Sequence, residues 1–313
     1  MGQTRNFNYF NGVISLALAR VPELEPWPEY YMLRGAELEL IFKLYPFDSY
    51  EKALDIGIGN GFVTACLSRY AKWIVGLDLP IMDVKTHTYG LEKAKRLLDA
   101  VGIMNCSLVG GRLEELPFPD DHFDFIFTQY ALEHIPDLDR AVSEIRRVLK
   151  PDGIIIAIVP GHFERVAAFF KFPYYLLSRG IFYFKNRFWR HEVTQSEEIW
   201  FSGRKGCDLD FFQRFKKFLR DYPHFPFPNP HGVQKNSFRE MIAYTPGAWG
   251  KVFTKNGLFL KEVFSHITIF NSLTNIVYSQ ARSLERLMPL SVVLAKQRMA
   301  KYLGEAFCFV MTK

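Results

Sequence analysis

The chain has 313 residues, 49% of them hydrophobic and 23% charged, so it can bury a sizeable core and no large part has the composition of a disordered segment. Its net charge of +6 is mild and suits an anionic cofactor, a membrane surface or nucleic acid. Cys66, Cys106, Cys207 and Cys308 stand apart, without C-x-x-C or zinc spacing, which favours a reduced, cytoplasmic protein with incidental cysteines.

The N-terminal apolar run is only seven residues long and lacks a cleavage site, so no signal peptide is expected. Asn6 breaks the M-G-x-x-x-[ST] lipidation pattern. No uninterrupted apolar stretch reaches the roughly 18 residues of a membrane-spanning helix.

In chain order, residues 1–34 form an N-terminal helical segment, and residues 35–44 ("GAELELIFKL") have helical spacing. "KALDIGI" is a fully apolar strand, followed by a strand at 73–79, a helix at 90–102 and strands at 106–111 and 123–130. An amphipathic helix over 137–150 ends at "PDG", and 154–161 is a buried strand. Apolar strands alternating with helices predict a Rossmann-like, doubly wound, mostly parallel seven-stranded α/β sheet whose core spans 35–161.

The character changes after Gly161. Residues 162–220 hold 17 aromatics, with 12 Lys and Arg against 6 Asp and Glu, so their excess equals that of the whole chain. With the Pro-rich "DYPHFPFPNPHG" they make an insertion or lid over 162–246, placed before the sixth strand. Residues 247–313 complete the sheet: a helix at 247–257, a strand at 258–270, a mostly helical stretch at 272–303 and a last strand at 306–313.

Gly57, Gly59 and Gly61 form G-x-G-x-G between the first strand and its helix, one residue tighter than the dinucleotide fingerprint. Such a turn offers backbone N–H groups to a ligand, although tight strand–helix packing alone would also select glycine. Asp55 lies inside the strand end, where a buried carboxylate needs partners. Asp78 ends the second strand, the position from which an acid can accept both ribose hydroxyls; a turn or cap residue is the plainer alternative.

"LDIGIGNG", "VGLDL", "ELPFPDDHFDFIFTQYALEHIPD" and "IRRVLKPDG", in this order and spacing, resemble the class I S-adenosylmethionine-dependent methyltransferases, particularly the branch acting on small molecules and lipids. The resemblance covers about residues 50–161 and, more loosely, "AWGKVFTKNGLF". It implies S-adenosyl-L-methionine as cofactor, with the glycines close to its methionine part and Asp55 near its amino group. It implies Asp78 on the ribose and Leu79 beside the adenine. Where such proteins commonly place an acid for the adenine amino group, this chain has Arg112, which can only donate. The backbone at Arg112–Leu113 or a shifted Glu114 would then carry that contact. Arg34 is a candidate for the cofactor carboxylate or a surface residue, and Gln129 faces the expected cleft.

His134, after the fourth strand, and His162, after the fifth, are the candidate bases for a hydroxyl acceptor. His231 and Tyr130 are further candidates, and the histidines are too scattered in sequence to suggest a metal site. The expected reaction is O-methylation of a small or lipid-like acceptor by in-line displacement. The basic, aromatic insertion would lie on an anionic membrane surface, making the protein peripheral, or would close over the acceptor. Basic residues interleaved with Phe and Leu, and no N-P-P-Y-like motif, weigh against nucleic acid. A cofactor-binding regulatory protein without turnover and a nucleic-acid methyltransferase are the alternatives.

Overall fold

Leu54, Ile56, Ile74, Val75, Leu77, Phe125, Ile126 and Phe127 sit in short apolar runs that are buried on both faces, as strands of a covered parallel sheet must be. The structure, a computed structural model, describes residues 2–21, 28–80, 91–167, 169, 230–268, 290, 292–293 and 304–313. Within them run α1 (Gly2–Arg20), α2 (Pro28–Leu44), β1 (Tyr50–Ile56), α3 (Phe62–Leu67), β2 (Ala71–Asp78), α4 (Leu91–Val101), β3 (Cys106–Gly110) and β4 (Phe123–Gln129). Then follow α5 (Leu138–Val148), β5 (Leu149–Pro160), α6 (Ser237–Ala243), α7 (Pro246–Lys255), β6 (Phe259–Thr268) and β7 (Gly304–Thr312).

The seven strands lie in the order β3-β2-β1-β4-β5-β7-β6. β1 to β5 are parallel and β7 is antiparallel to both β5 and β6. This is the expected Rossmann-like, mostly parallel sheet. The chain winds outward from β1 through β3 and then crosses to β4 on the other side. A crevice therefore opens between β1 and β4, beyond their C-terminal ends, where open α/β sheets bind ligands.

Alternation along each strand divides the core between the two faces. Ala53, Phe125, Phe127, Ile156 and Ile158 pack with α1, α2, α3 and α4, through residues such as Phe10, Tyr31, Leu38, Phe62 and Leu97. Leu54, Ile56, Ile126, Ile155 and Ala157 pack with α5 and α7, through Val142, Ile145, Trp249 and Phe253. Helix ends follow local chemistry. The Asp137 carboxylate accepts the Arg140 N–H at 3.1 Å to start α5, and the Thr245 hydroxyl accepts the Ala248 N–H at 3.2 Å to start α7. Each such cap contributes about 1 kcal/mol.

Several boundaries differ from those expected. α2 begins at Pro28 rather than residue 35, with proline at its first position, where a missing N–H costs nothing. α5 ends at Val148 because Leu149 already pairs with Phe123; the Pro-Asp-Gly at 151–153 sits in the register shift before Ile154 pairs with Phe125. Residues 168 and 170–229, most of the insertion, and nearly all of the 272–303 stretch lie outside the described residues.

Candidate cofactor and acceptor site

Gly57, Gly59 and Gly61 all have positive φ, 74°, 55° and 82°, which side-chain-bearing residues rarely adopt. Two of them are also hemmed in by protein rather than by open cleft. A Cβ on Gly57 would stand 2.5 Å from Ala131 Cβ, and one on Gly61 would stand 3.0 Å from Ala94 Cβ on α4. The loop after β1 thus closes against the loop after β4 at the crossover point. The Gly59 N–H donates to Asp78 Oδ2 at 2.8 Å, and the Leu79 N–H donates to Oδ1 at 2.7 Å. Both Asp78 oxygens keep lone pairs for a ligand's hydroxyls. Burial raises the Asp78 pKa, opposed by those two N–H groups. Leu79 beside it is 44% exposed, an apolar surface flanking the acid.

Asp55 is buried, and its Oδ2 accepts the Thr64 hydroxyl from α3 at 2.6 Å. Burial pushes its carboxyl up to about 7, against the Thr64 hydrogen bond and with Asp78 adding to the rise. A buried acid this hard to ionise fits a cationic ligand group nearby.

A second network covers the other side of the crevice. Buried Glu37, from α2, accepts from Gln129 Nε2 at 2.7 Å and from the Tyr130 hydroxyl at 3.3 Å. Arg34 pairs with Glu37 at 2.5 Å and lies over the Tyr130 ring, 4.7 Å from its centroid. Tyr130 itself has φ of 53°, a left-handed turn that costs about 1–2 kcal/mol and swings the chain out of β4 so that Ala131 meets Gly57.

Beyond that turn, Glu133, His134 and His231 converge, with one ligand-capable atom from each within 4.8 Å of the others. Glu133 Oε1 lies 3.8 Å from the Nε2 of each histidine, too far for a hydrogen bond. Burial pushes the Glu133 carboxyl up to about 8, with Glu164 and Glu240 adding and Arg34 opposing. Desolvation lowers the His134 pKa, and His231 lowers it further. His162 is placed differently: its ring stacks on Phe307, with centroids 6.0 Å apart.

Residues 54–157 match a family model described as a methyltransferase domain. This part of the chain is a class I S-adenosylmethionine-dependent methyltransferase domain. An uncharacterized methyltransferase, YcgJ, of Bacillus subtilis is 34% identical over 130 residues, 42% of this chain and 49% of that protein. The ubiquinone/menaquinone biosynthesis C-methyltransferase UbiE of Psychromonas ingrahamii is 34% identical over 125 residues, 39% and 48% of the two chains. This chain therefore spans about half the length of the curated relatives it matches. A solved S-adenosylmethionine-dependent methyltransferase of Mesorhizobium loti is 16% identical, with a TM-score of 0.48, over 90% of this chain and 100% of that one.

The methyltransferase domain takes S-adenosylmethionine as its cofactor, and Asp55, the glycine turn, Asp78 and Leu79 have the donors, acceptors and exposure to suit it. The Arg112 side chain is mostly exposed and reaches Glu114 Oε1 at 3.3 Å, while Glu114 and Leu113 are buried. Sequence reasoning missed Glu37 and Glu240, since a buried acid on a helix reads as a surface acid until its partners are known. It also treated the histidines as scattered, and that expectation does not hold for His134 and His231. No spacing could join positions 134 and 231, but the glycine after His231 was a signal: a Cβ on Gly232 would stand 2.4 Å from Glu133 O. Among the described residues no helix is long and apolar enough to cross a membrane.

Proposed function

We propose that the chain transfers a methyl group from S-adenosylmethionine to the hydroxyl of a small or lipid-like, hydrophobic acceptor. The observation that carries this reading is the meeting, at one crossover point, of the Asp55–Asp78 cradle with a cluster of proton-accepting groups on the β4 side. The cofactor, when bound, supplies a sulfonium-activated methyl group that needs mainly proximity and alignment for displacement. Asp78 would bind the ribose hydroxyls, Asp55 the amino group, Leu79 an adenine face, and Gln129 the methionine part. Glu114, or backbone at Arg112 and Leu113, would take the adenine amino group.

On the acceptor side, a hydroxyl nucleophile must lose a proton. His134 lies in the turn after β4 and its ring is 48% exposed, which supports it as the residue that meets the acceptor. His162, stacked on Phe307, is the second candidate. The 162–246 segment, rich in aromatic and basic residues, would enclose the acceptor or rest on an anionic membrane surface, both of which favour a hydrophobic acceptor.

Labelled cofactor incubated with phenolic and lipid-like hydroxyl acceptors tests the reading. Removing the true base should lower the rate roughly 10²–10⁴-fold with cofactor binding retained. His134→Ala and His162→Ala both at full turnover would retire the hydroxyl-base scheme. The name of the UbiE relative favours a second reading, methylation at carbon of a quinone-type ring. Product analysis by NMR separates an O-methyl from a C-methyl group.

A further inference from the structure

We propose that Glu133, His134 and His231 bind one divalent transition-metal ion, of the zinc, cobalt, nickel or iron(II) class. The three donors come from the turn after β4 and from the end of the Pro-rich loop, and no established part of the cofactor cradle uses them.

The geometry is close to that of a bound ion. Metal–nitrogen and metal–oxygen bonds of roughly 2.0–2.2 Å place tetrahedral ligands about 3.4 Å apart. Here the two carboxylate–imidazole separations are both 3.8 Å, so small side-chain shifts bring the donors to bonding distance. Both imidazole rings are exposed enough to make such shifts, at 48% and 44%.

The Glu133 carboxylate points to a cation. Its side chain is wholly buried, yet among the described residues neither oxygen has a hydrogen-bond partner in another residue. A buried carboxylate in that condition is costly, and a cation held between it and the two rings removes the cost.

The loop carrying His231 is built to stay where it is. Glu240, fully buried, accepts the N–H of His231 at 2.7 Å and of Gly232 at 2.6 Å, and also the Tyr244 hydroxyl at 3.2 Å. The Val233 N–H donates to Glu133 O at 3.0 Å. Gly232 lies so close to Glu133 and to the Tyr244 hydroxyl that a Cβ would stand 2.4 Å from each. His231 is therefore held at the Glu133 carboxylate by hydrogen bonds from its own and the next two residues, rather than drifting there on a free loop.

Two imidazoles and one carboxylate select first-row transition metals over calcium or magnesium, which prefer oxygen ligands. Three protein donors leave at least one position open, the arrangement of reactive rather than structural sites. With the ion bound, His134 is a ligand and His162 is left as the candidate base; that an acceptor oxygen fills the open position rests on the methyl-transfer reading, and the metal site itself does not.

Cobalt(II) is the probe, added to the full chain after dialysis against a chelator and followed by visible ligand-field bands and equilibrium dialysis. One ion per chain is expected, with magnesium unable to displace it. His231→Ala and Glu133→Gln should each weaken cobalt binding by more than the 10–100-fold typical of losing an outer hydrogen-bond partner. Melting shifts with S-adenosylhomocysteine, measured in parallel, should persist in His231→Ala and so show a folded chain. No saturable cobalt binding by wild type, or binding that both substitutions leave unchanged, overturns the site. Loss of the S-adenosylhomocysteine shift in wild type would count against the methyltransferase reading and leave the metal site standing.

Discussion

Asp78 accepts the Gly59 N–H across 2.8 Å, so the acid that ends β2 also fixes the middle of the glycine turn. One carboxylate thus shapes the cradle and offers lone pairs to a ligand. At ligand near 100 times Kd, wild type should gain roughly 2.7 kcal/mol of stability from S-adenosylhomocysteine. Asp78→Ala should lose most of that gain while remaining folded, as read from thermal melts. Equal shifts in the two proteins would place the cofactor elsewhere.

Asp55 makes stability depend on pH. Its folded pKa of about 7 lies above the unfolded value of about 3.9, so between those limits the folded chain holds a proton that the unfolded chain has released. Stability therefore falls as pH rises through that window. Asp55→Asn, which keeps an acceptor for Thr64, should lessen the fall in melting temperature between pH 5 and 8 and raise it at pH 8 without ligand, leaving the share of Glu133, whose carboxyl is also raised to about 8. Cofactor binding by the same variant should weaken. A wild-type profile retained in Asp55→Asn means that the titrating group is another one.

Arg112 and Glu114 divide in their predicted effects. The guanidinium is exposed and can only donate, so Arg112→Ala should change cofactor affinity by less than about tenfold, or 1.4 kcal/mol. Glu114→Gln should cost more, because Glu114 is the buried acid of the pair. Calorimetric titration of both variants checks the order; the reverse order would make the arginine the adenine contact.

The cradle was legible in sequence because it is local: strand, glycine turn and helix follow one another, and Asp78 lies only 19 residues beyond Gly59. The apolar runs likewise placed the strands, since covered parallel strands carry hydrophobic residues on both faces. The glycines were read less completely. Gly57 and Gly61 are confined by Ala131 and Ala94, contacts that only the folded sheet creates. Glu37 and Glu240 were invisible because a buried acid on a helix resembles a surface acid until its partners are known. Gln129 and His231 are those partners, and they lie 92 and 9 residues away.

Gly232 offers a steric test of the acceptor side. A methyl group there must displace the loop from Glu133 or from Tyr244, at a cost of about 1–3 kcal/mol for overpacking. Gly232→Ala should melt earlier, bind S-adenosylhomocysteine normally and lose turnover to the extent that His231→Ala does. Full turnover in Gly232→Ala, with full turnover in His231→Ala, would remove this loop from the active site.

For the basic, aromatic segment at 162–220, cosedimentation with anionic liposomes should show salt-sensitive binding, each basic residue near the surface adding about 1 kcal/mol. No binding at low or high salt, with activity on a water-soluble acceptor, would assign the segment to covering the acceptor alone.

The central claim is that the crossover between β1 and β4 carries out methyl transfer from S-adenosylmethionine to a hydrophobic hydroxyl acceptor. Its most direct test is transfer of label from methyl-labelled S-adenosylmethionine into a lipid and small-molecule extract, comparing wild type with Asp78→Ala. The account predicts a labelled, organic-soluble product that wild type forms and Asp78→Ala does not, with S-adenosylhomocysteine released in equal amount. Cofactor bound by wild type without any labelled product across hydrophobic and polar acceptors, or equal labelling by both proteins, would contradict it.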